Sequence, residues 1–156
     1  MEDIELVLRF VAHYTFEGVR PDDQNLDDFL NNTVEKRSIL WSDEKWGEIE
    51  NAFYRALKAG PKVFGRFAFR KYYAPNESRR PINRGLFETE TVLLALRNPH
   101  ELSVLADRSD QILDGLAQLF KNKDFASALL YATGRGSSSN TRLKLLGEVF
   151  ERVINA

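Results

Sequence analysis

The sequence predicts an all-α protein, a single-domain bundle of about seven helices spanning residues 1–156. Apolar residues recur at three- and four-residue spacing along most of the chain, and capping residues, glycine or proline delimit the segments. No two alternating segments are joined by a hairpin signal. A length of 156 residues suits one hydrophobic core, so we expect one helical domain.

The first three helices are predicted from their apolar faces and their ends. Residues 4–16 form a helix so apolar that it must be central, and its polar positions make one strip, Glu5, Arg9 and His13. Asn25 is the predicted N-cap of a second helix. Ser42 caps a third helix, which we expect to stop at Gly60-Pro61.

The middle of the chain is less regular. We predict a basic loop region near 61–81, with a helix over 62–73 inside it. Pro81 then opens another helix. Asn98 begins the next one, because it can cap and because Glu101 completes the spacing of a capping box.

The C-terminal part is predicted to contain three more helical segments. A break near 107–109 separates the first of them from the helix that begins at Asn98, a short helix covers 125–132, and a last helix carries apolar residues from Leu143 onward. The Gly- and Ser-rich stretch near 134–140 is predicted to be a flexible loop. The predicted core contains large side chains from all parts of the chain: Leu8, Phe10, Phe29, Trp46, Phe53, Leu86, Phe87, Leu105, Leu116 and Phe150.

Composition excludes several classes of protein. The absence of cysteine excludes disulfides, thiolate zinc sites, iron–sulfur clusters and cysteine nucleophiles. The longest apolar run, 92–96, is far shorter than the roughly 20 residues that cross a bilayer. The acidic start Met1-Glu2-Asp3 is also unlike a signal peptide. We therefore expect a cytoplasmic protein without membrane contact.

Charge is distributed unevenly along the chain. Residues 1–54 have a net charge of -8, whereas residues 55–84 carry nine Lys or Arg and one Glu, a net charge of +8. Aromatic residues are interleaved with these cations, as in grooves that bind single-stranded nucleic acid. The predicted polyanion-binding residues are Arg55, Lys58, Lys62, Arg66, Lys71, Arg79 and Arg80. The alternative is that this block neutralises the acidic first third by folding against it.

No catalytic residue, metal ligand or cofactor site is predicted. The two histidines, His13 and His100, lack the spacing of a metal site, and nucleophile-elbow and phosphate-loop motifs do not occur. Three carboxylates could share a helix face and hold a hard cation, although solvated surface explains them equally well: Asp107, Asp110 and Asp114. Three arginines beside apolar residues could satisfy carboxylates, helix ends or a phosphate: Arg9, Arg70 and Arg84.

A succession of short motifs resembles one known family. The segments are 5–12 (ELVLRFVA), 26–30 (LDDFL), 65–70 (GRFAFR) and 81–88 (PINRGLFE), followed by a Ser/Thr-rich loop before Arg142 and by the stretch Phe150-Glu151-Arg152. In order and spacing they resemble the helical half of the N-terminal domain of GmrSD-type restriction endonucleases, a ParB/sulfiredoxin-like family of prokaryotes. The resemblance covers nearly the whole chain.

The resemblance implies a scaffold but no active site. In that family the catalytic signature Asp-Gly-Gln-Gln-Arg lies in a preceding ParB-like half, and many relatives carry a C-terminal HNH-type nuclease domain. The present sequence contains neither, so no catalytic residue can be carried over, and we expect no enzyme activity from the chain on its own. The family-like positions are Arg9, Phe69, Arg70, Asn83, Arg84 and Phe87.

Three functions are compatible with these observations. The first is a non-catalytic helical interaction or scaffold module of an anti-phage restriction-type protein, with the nucleotidase or nuclease half as a separate protein partner. The second is a stand-alone domain that binds DNA or RNA through the basic segment 55–84. The third is an enzyme with an unrecognised site on the Asp107 face. The oligomeric state and the identity of the partner stay open.

Overall fold

The computed structural model describes residues 2–130 and 134–156, and every regular element in these ranges is helical. This confirms the all-α class and the expectation of about seven helices. None of the helices in the described ranges is long and apolar enough to cross a membrane. The α-helices are α1 (Glu2–Tyr14), α2 (Leu26–Asn32), α3 (Asp43–Phe64), α4 (Arg84–Ala95), α5 (Pro99–Asp107), α6 (Ser109–Lys121), α7 (Lys123–Leu130) and α8 (Gly136–Ile154).

Helix α4 lies at the centre of the bundle. Every residue from Gly85 to Ala95 is buried, and the helix packs against α1, α3 and α8. It begins at Asn83, whose side-chain oxygen accepts a hydrogen bond from the Leu86 amide at 3.0 Å. The two buried threonines, Thr89 and Thr91, donate their hydroxyl protons to carbonyls one turn earlier in α4, so their polar atoms need no outside partner.

Helix α3 continues past the predicted stop at Gly60-Pro61. Proline removes one helical hydrogen bond, but the following turn places Val63 and Phe64 in the core, where both are fully buried. The helix ends at Gly65, whose φ of +58° suits a residue without a side chain. The predicted helix over 62–73 is therefore wrong: these residues form the end of α3, a 3₁₀ turn (Gly65–Phe67) and a loop.

The basic loop after the 3₁₀ turn starts at a sharply defined corner, Phe69. This residue has a φ of +64°, which is unfavourable for a side chain of this size. Its amide donates to the Glu90 carboxyl at 2.6 Å, and its carbonyl accepts from the Asn83 amide at 2.9 Å. Its ring packs 5.0 Å from Phe87 and lies against Gly60. Tertiary contacts on both sides thus hold the corner in place.

Helix α8 begins earlier than the sequence predicts. Residues 136–140, expected in a flexible loop, belong to its first turns. The first amides of α8 donate to loop carbonyls, Gly136 to Gln24 and Ser137 to Asp22, both at 3.0 Å. These bonds to a distant segment satisfy amides that a free helix end would leave open. The predicted helix over 125–132 is α7, and its expected end at Ala132 lies outside the described residues.

The predicted core is mostly correct. Seven of its side chains are buried, and Leu8 and Phe53 are half-buried against the two core clusters. Trp46 is the exception, because 43% of its surface is exposed. It lies near the start of α3 and packs edge-on against Trp41 at 5.0 Å instead of entering the core. The buried seven are Phe10, Phe29, Leu86, Phe87, Leu105, Leu116 and Phe150.

We predict that Gly60→Ala destabilises the protein by about 1–3 kcal/mol, because a Cβ at Gly60 would lie 2.5 Å from the Phe69 ring. The matched control is Gly47→Ala in the same helix, where a Cβ meets nothing within 4 Å and should stabilise by about 0.5–1 kcal/mol. Urea unfolding measures both. Equal effects of the two substitutions would show that Phe69 does not pack on Gly60.

Candidate functional site

A buried ionic cluster joins α1, α4 and α8 around Glu88, whose side chain is completely inaccessible to solvent. Its carboxylate accepts hydrogen bonds from Arg142 Nη2 at 2.8 Å, from Ser139 Oγ at 2.9 Å and from Arg9 Nη1 at 3.3 Å. His13 Nε2 lies 3.4 Å away. The polar strip predicted on α1 therefore faces the interior of the protein, and Arg9 binds carboxylates rather than a phosphate.

Glu88 is ionised in the folded protein. Burial raises the pKa of this carboxyl, but the protonated form that His13 takes in acid, the charges of Arg142 and Arg9 and the hydrogen bond from Arg142 outweigh burial and lower the pKa to about 2. Arg20 also lies in this region, so the guanidinium groups around Glu88 outnumber the buried carboxylates. Glu5, which pairs with Arg9 at 2.7 Å from the edge of the cluster, supplies a second negative charge.

The surplus guanidinium donors bind backbone carbonyls. Arg142 Nη1 donates to the Ala128 carbonyl of α7 at 2.6 Å. Arg20 Nη2 donates to the Gly134 carbonyl at 2.6 Å and to the Gln24 carbonyl at 2.8 Å. Carbonyl groups at helix ends and in loops are the partners that such cations need when no carboxylate is present. The cluster thus ties two loops to the central helix.

His13 is neutral in this cluster. Its Nδ1 lies 2.9 Å from the Arg9 carbonyl, which can only accept, so Nδ1 carries the proton. Nε2 then presents a lone pair toward Glu88 and has no hydrogen-bond donor in the described part of the chain. Burial above all lowers the pKa of His13, with Arg20 and Arg142 adding to this and Glu88 opposing it.

A second buried carboxyl, Glu90, lies two residues further along α4, and its pKa is shifted in the opposite direction. Burial raises its pKa well above the usual range, although the hydrogen bond from the Phe69 amide and the charge of Arg70 act against this. The Glu90 Oε1 atom has no hydrogen-bond partner within the described ranges. Burial therefore favours the neutral form of Glu90, and its carboxyl holds the Phe69 corner by accepting from the Phe69 amide.

The seven residues predicted to bind a polyanion divide into two groups. Three of them, Arg55, Lys58 and Lys62, lie on one face of α3 and line a groove of about 560 Å³. We call it the α3–α5 groove; residues that line it include Tyr54, Arg55, Lys58, Lys62, Leu102 and Ala106. Arg55 Nη2 donates to the Ala95 carbonyl at the end of α4 at 2.9 Å, which fixes its position.

The other four cations lie outside this groove, in or beside the loop after α3. Arg66 donates to the carbonyl of Glu77, and Arg80 contacts the carboxylate of the same residue at 3.4 Å. Lys71 lines a small cavity beside Phe120 on α6. Arg79 is exposed. Within the described residues, none of these seven cations forms an ion pair with an acidic residue of segment 1–54. The one ion pair that the described ranges contain between segments 55–84 and 1–54 joins Arg84 to Glu5, at 3.5 Å.

Most aromatic residues of the basic segment 55–84 are buried and pack inside the protein. Four of them are buried, namely Phe64, Phe67, Phe69 and Tyr72. Tyr73 is 43% exposed, but Phe120 and the guanidinium of Arg80 pack on its ring. The ring exposed in the α3–α5 groove is Tyr54, which the sequence reading missed. Its position one helical turn before Lys58 is the signal that could have revealed it.

The three carboxylates considered for a hard cation are divided between two helices. Asp107 ends α5, whereas Asp110 and Asp114 belong to α6, so the predicted break near 107–109 separates them. In the described ranges no three acidic or histidine side chains are grouped as metal ligands would be. Asp110 and Asp114 line a cavity of about 360 Å³ beside Tyr72, and after burial they are the main causes that raise the pKa of this tyrosine.

Exposed apolar side chains concentrate in the acidic first third. Eight of the twelve large hydrophobic residues that the described ranges expose lie between residues 4 and 54. Three of them, Val7, Trp46 and Tyr54, border an open groove of about 350 Å³ between α1 and α3, the α1–α3 groove, lined by Val7, Val11, Trp46, Ile49, Glu50, Phe53 and Tyr54. Exposed apolar side chains that share a groove are typical of a docking site.

Comparisons of the chain with protein-family models, with curated proteins and with solved structures each returned no match. Three features stand out: the enclosed Glu88 cluster, the apolar α1–α3 groove and the basic α3–α5 groove.

We predict that Glu88→Gln and Glu90→Gln have opposite effects on stability. Glu88→Gln leaves the buried guanidinium of Arg142 facing a neutral amide and should cost about 3–5 kcal/mol at pH 7. Glu90→Gln replaces a neutral acid by a neutral amide. Burial raises the pKa of Glu90 in the folded protein, so above about pH 4.5 the unfolded chain loses this proton first and the wild type becomes less stable as the pH rises. The amide of the variant does not titrate, so its advantage over the wild type should grow with pH. Urea unfolding at several pH values measures both, and equal losses would contradict these assignments.

We predict that His13 reduces stability in mild acid. Its pKa is lowered in the folded state, so below about pH 6.5 the unfolded chain binds a proton that the folded protein does not. The free energy of unfolding of the wild type, relative to His13→Gln, should therefore fall as the pH drops below 6.5. His100→Gln is the control, since this imidazole is exposed at the start of α5. The same pH dependence in both comparisons would be the contrary result.

Proposed function

We propose that this chain is a non-catalytic helical interaction module of a restriction-type anti-phage protein, and that it docks a separate nucleotidase or nuclease half through the α1–α3 groove. The observation that carries the proposal is the concentration of exposed apolar side chains on the acidic first third of the chain. Water disfavours such surface, and a partner that covers it gains the corresponding free energy.

The groove has the composition of an interface centre. Trp46 and Tyr54 are about half exposed at its borders, and the half-buried Phe53 forms part of its floor. Tryptophan and tyrosine contribute most strongly to binding when a partner excludes water from them. Val7, 41% exposed on α1, extends the apolar surface across the two helices.

The acidic residues around the α1–α3 groove indicate which charge the partner's binding surface should carry. Glu50 lines the groove, and Asp3 and Glu44 are exposed on the same two helices. With a net charge of -8 over residues 1–54, this region should attract a partner whose apolar centre is bordered by Lys or Arg. A purely apolar partner would gain nothing from the acidic border.

The family-like positions support the same proposal. Arg9 binds Glu88, Phe87 is buried, Asn83 caps α4 and Arg84 is the first residue of that helix. They build the scaffold around α4 rather than a reactive site. The resemblance joins such a scaffold to a ParB-like half, which is the partner we propose.

The test uses the full chain and the product of a neighbouring reading frame that carries the Asp-Gly-Gln-Gln-Arg motif. We predict a complex in size-exclusion chromatography with light scattering, and a loss of about 30-fold in affinity by calorimetry for Trp46→Ala, which corresponds to about 2 kcal/mol. Leu96→Ala is the control, because Leu96 is also an exposed apolar side chain but lies at the end of α4, outside the groove. The proposal fails if no neighbouring frame encodes the motif, if the two proteins do not associate, or if both variants bind alike.

A further inference from the structure

We infer that the α3–α5 groove binds single-stranded nucleic acid, with a base stacked on Tyr54 and backbone phosphates bound by Lys58 and Lys62. This site is distinct from the apolar α1–α3 groove and goes beyond the proposed function. The two grooves share Tyr54 at their common border, but neither lysine lines the apolar groove.

The cations of this groove are placed to receive phosphates. Arg55, Lys58 and Lys62 follow one another at spacings of three and four residues, so they lie on one face of α3 and extend roughly 10 Å along its axis. Neither lysine has a carboxylate within 4 Å in the described ranges. Arg55 is anchored by the Ala95 carbonyl, which keeps its guanidinium at one end of the row. A row of cations without carboxylate partners favours a ligand with repeated negative charge.

The remaining surface of the groove suits a base. Tyr54 is 53% exposed and precedes Lys58 by one helical turn, so a ring stacked on it lies beside the lysine. Ala59, Leu102 and Ala106 provide an apolar floor. A volume of about 560 Å³ lies within the range of sites that accept small organic ligands. Together these groups offer stacking and phosphate contacts to the same nucleotide.

The exposed ring favours a single strand over a duplex or an acidic peptide. In a duplex the base faces are covered by neighbouring pairs, so Tyr54 could not stack on them, and an acidic peptide offers no base. Glu50, which lines the α1–α3 groove, repels phosphates on the other side of Tyr54. The strand is therefore confined to the wall that carries the lysines.

The structure also narrows the set of binding residues. Arg66 and Arg80 interact with Glu77, and Lys71 is half-buried beside Phe120, so these cations stabilise the loop. Arg79 and Arg80 are exposed outside the groove and so provide a control of equal charge change. The three cations of the α3–α5 groove are then the ones that neutralise phosphates.

Fluorescence anisotropy with labelled dT12 at low salt tests the site in the full chain. Lys58→Gln with Lys62→Gln should weaken binding at least tenfold and reduce the slope of log affinity against log salt by about 1.4, since two phosphate contacts are lost. Arg79→Gln with Arg80→Gln removes the same charge and should change affinity less than twofold. Tyr54→Leu keeps an apolar group but no flat ring, and should weaken binding about tenfold.

Further measurements separate this inference from the protein-docking proposal and from binding of other anions. Trp46→Ala should leave dT12 binding unchanged, so a failure here is separate from a failure of the protein-docking proposal. Far-ultraviolet circular dichroism of each variant confirms that the fold is kept. The inference is overturned if the wild type does not bind dT12, if the two double variants lose affinity equally, or if Tyr54→Leu binds normally. Binding of ATP or of polyglutamate as tight as that of dT12 also overturns it and assigns the groove to a free nucleotide or an acidic peptide.

Discussion

The carboxylate of Glu88 is the point on which the architecture depends. It lies on the most buried helix, and the side chains that neutralise it come from α1 and α8, which are far apart in the sequence. A buried charge without such partners would cost several kcal/mol, so the three helices can meet only when Arg9, Ser139 and Arg142 point to the same place. The cluster therefore specifies how the helices pack more than it adds to net stability.

The two acidic residues of α4 show how position determines chemistry. Glu88 faces guanidinium groups, which help to lower its pKa, whereas burial raises the pKa of Glu90, whose carboxyl accepts from the Phe69 amide. Glu88 joins the N- and C-terminal helices. Glu90 holds the corner from which the basic loop departs, and Gly60 on α3 leaves room for the ring of that corner.

This packing also gives the two sides of α3 surfaces of different character. One side of α3 meets α1 and presents apolar side chains among acids, and the other side meets α5 and presents Arg55, Lys58 and Lys62. Tyr54 lies at the border between them. The two surfaces have opposite charge, so a phosphate ligand and a basic protein partner would favour different sides of α3 and would meet at Tyr54.

The sequence by itself determined the features that rest on local bonds. The caps at Asn25, Ser42 and Asn98 were predictable because each bonds an amide three residues away, and the all-α class followed from apolar spacing. Only the tertiary structure decided the passage of α3 through Pro61, the early start of α8 and the grouping of Arg55, Lys58 and Lys62 in one groove. Each of these depends on distant partners: the core around Phe64, the carbonyls of Gln24 and Asp22, and the wall of α5. Contacts between residues far apart in the chain leave no periodic signal, which is why they appear only when the chain is folded.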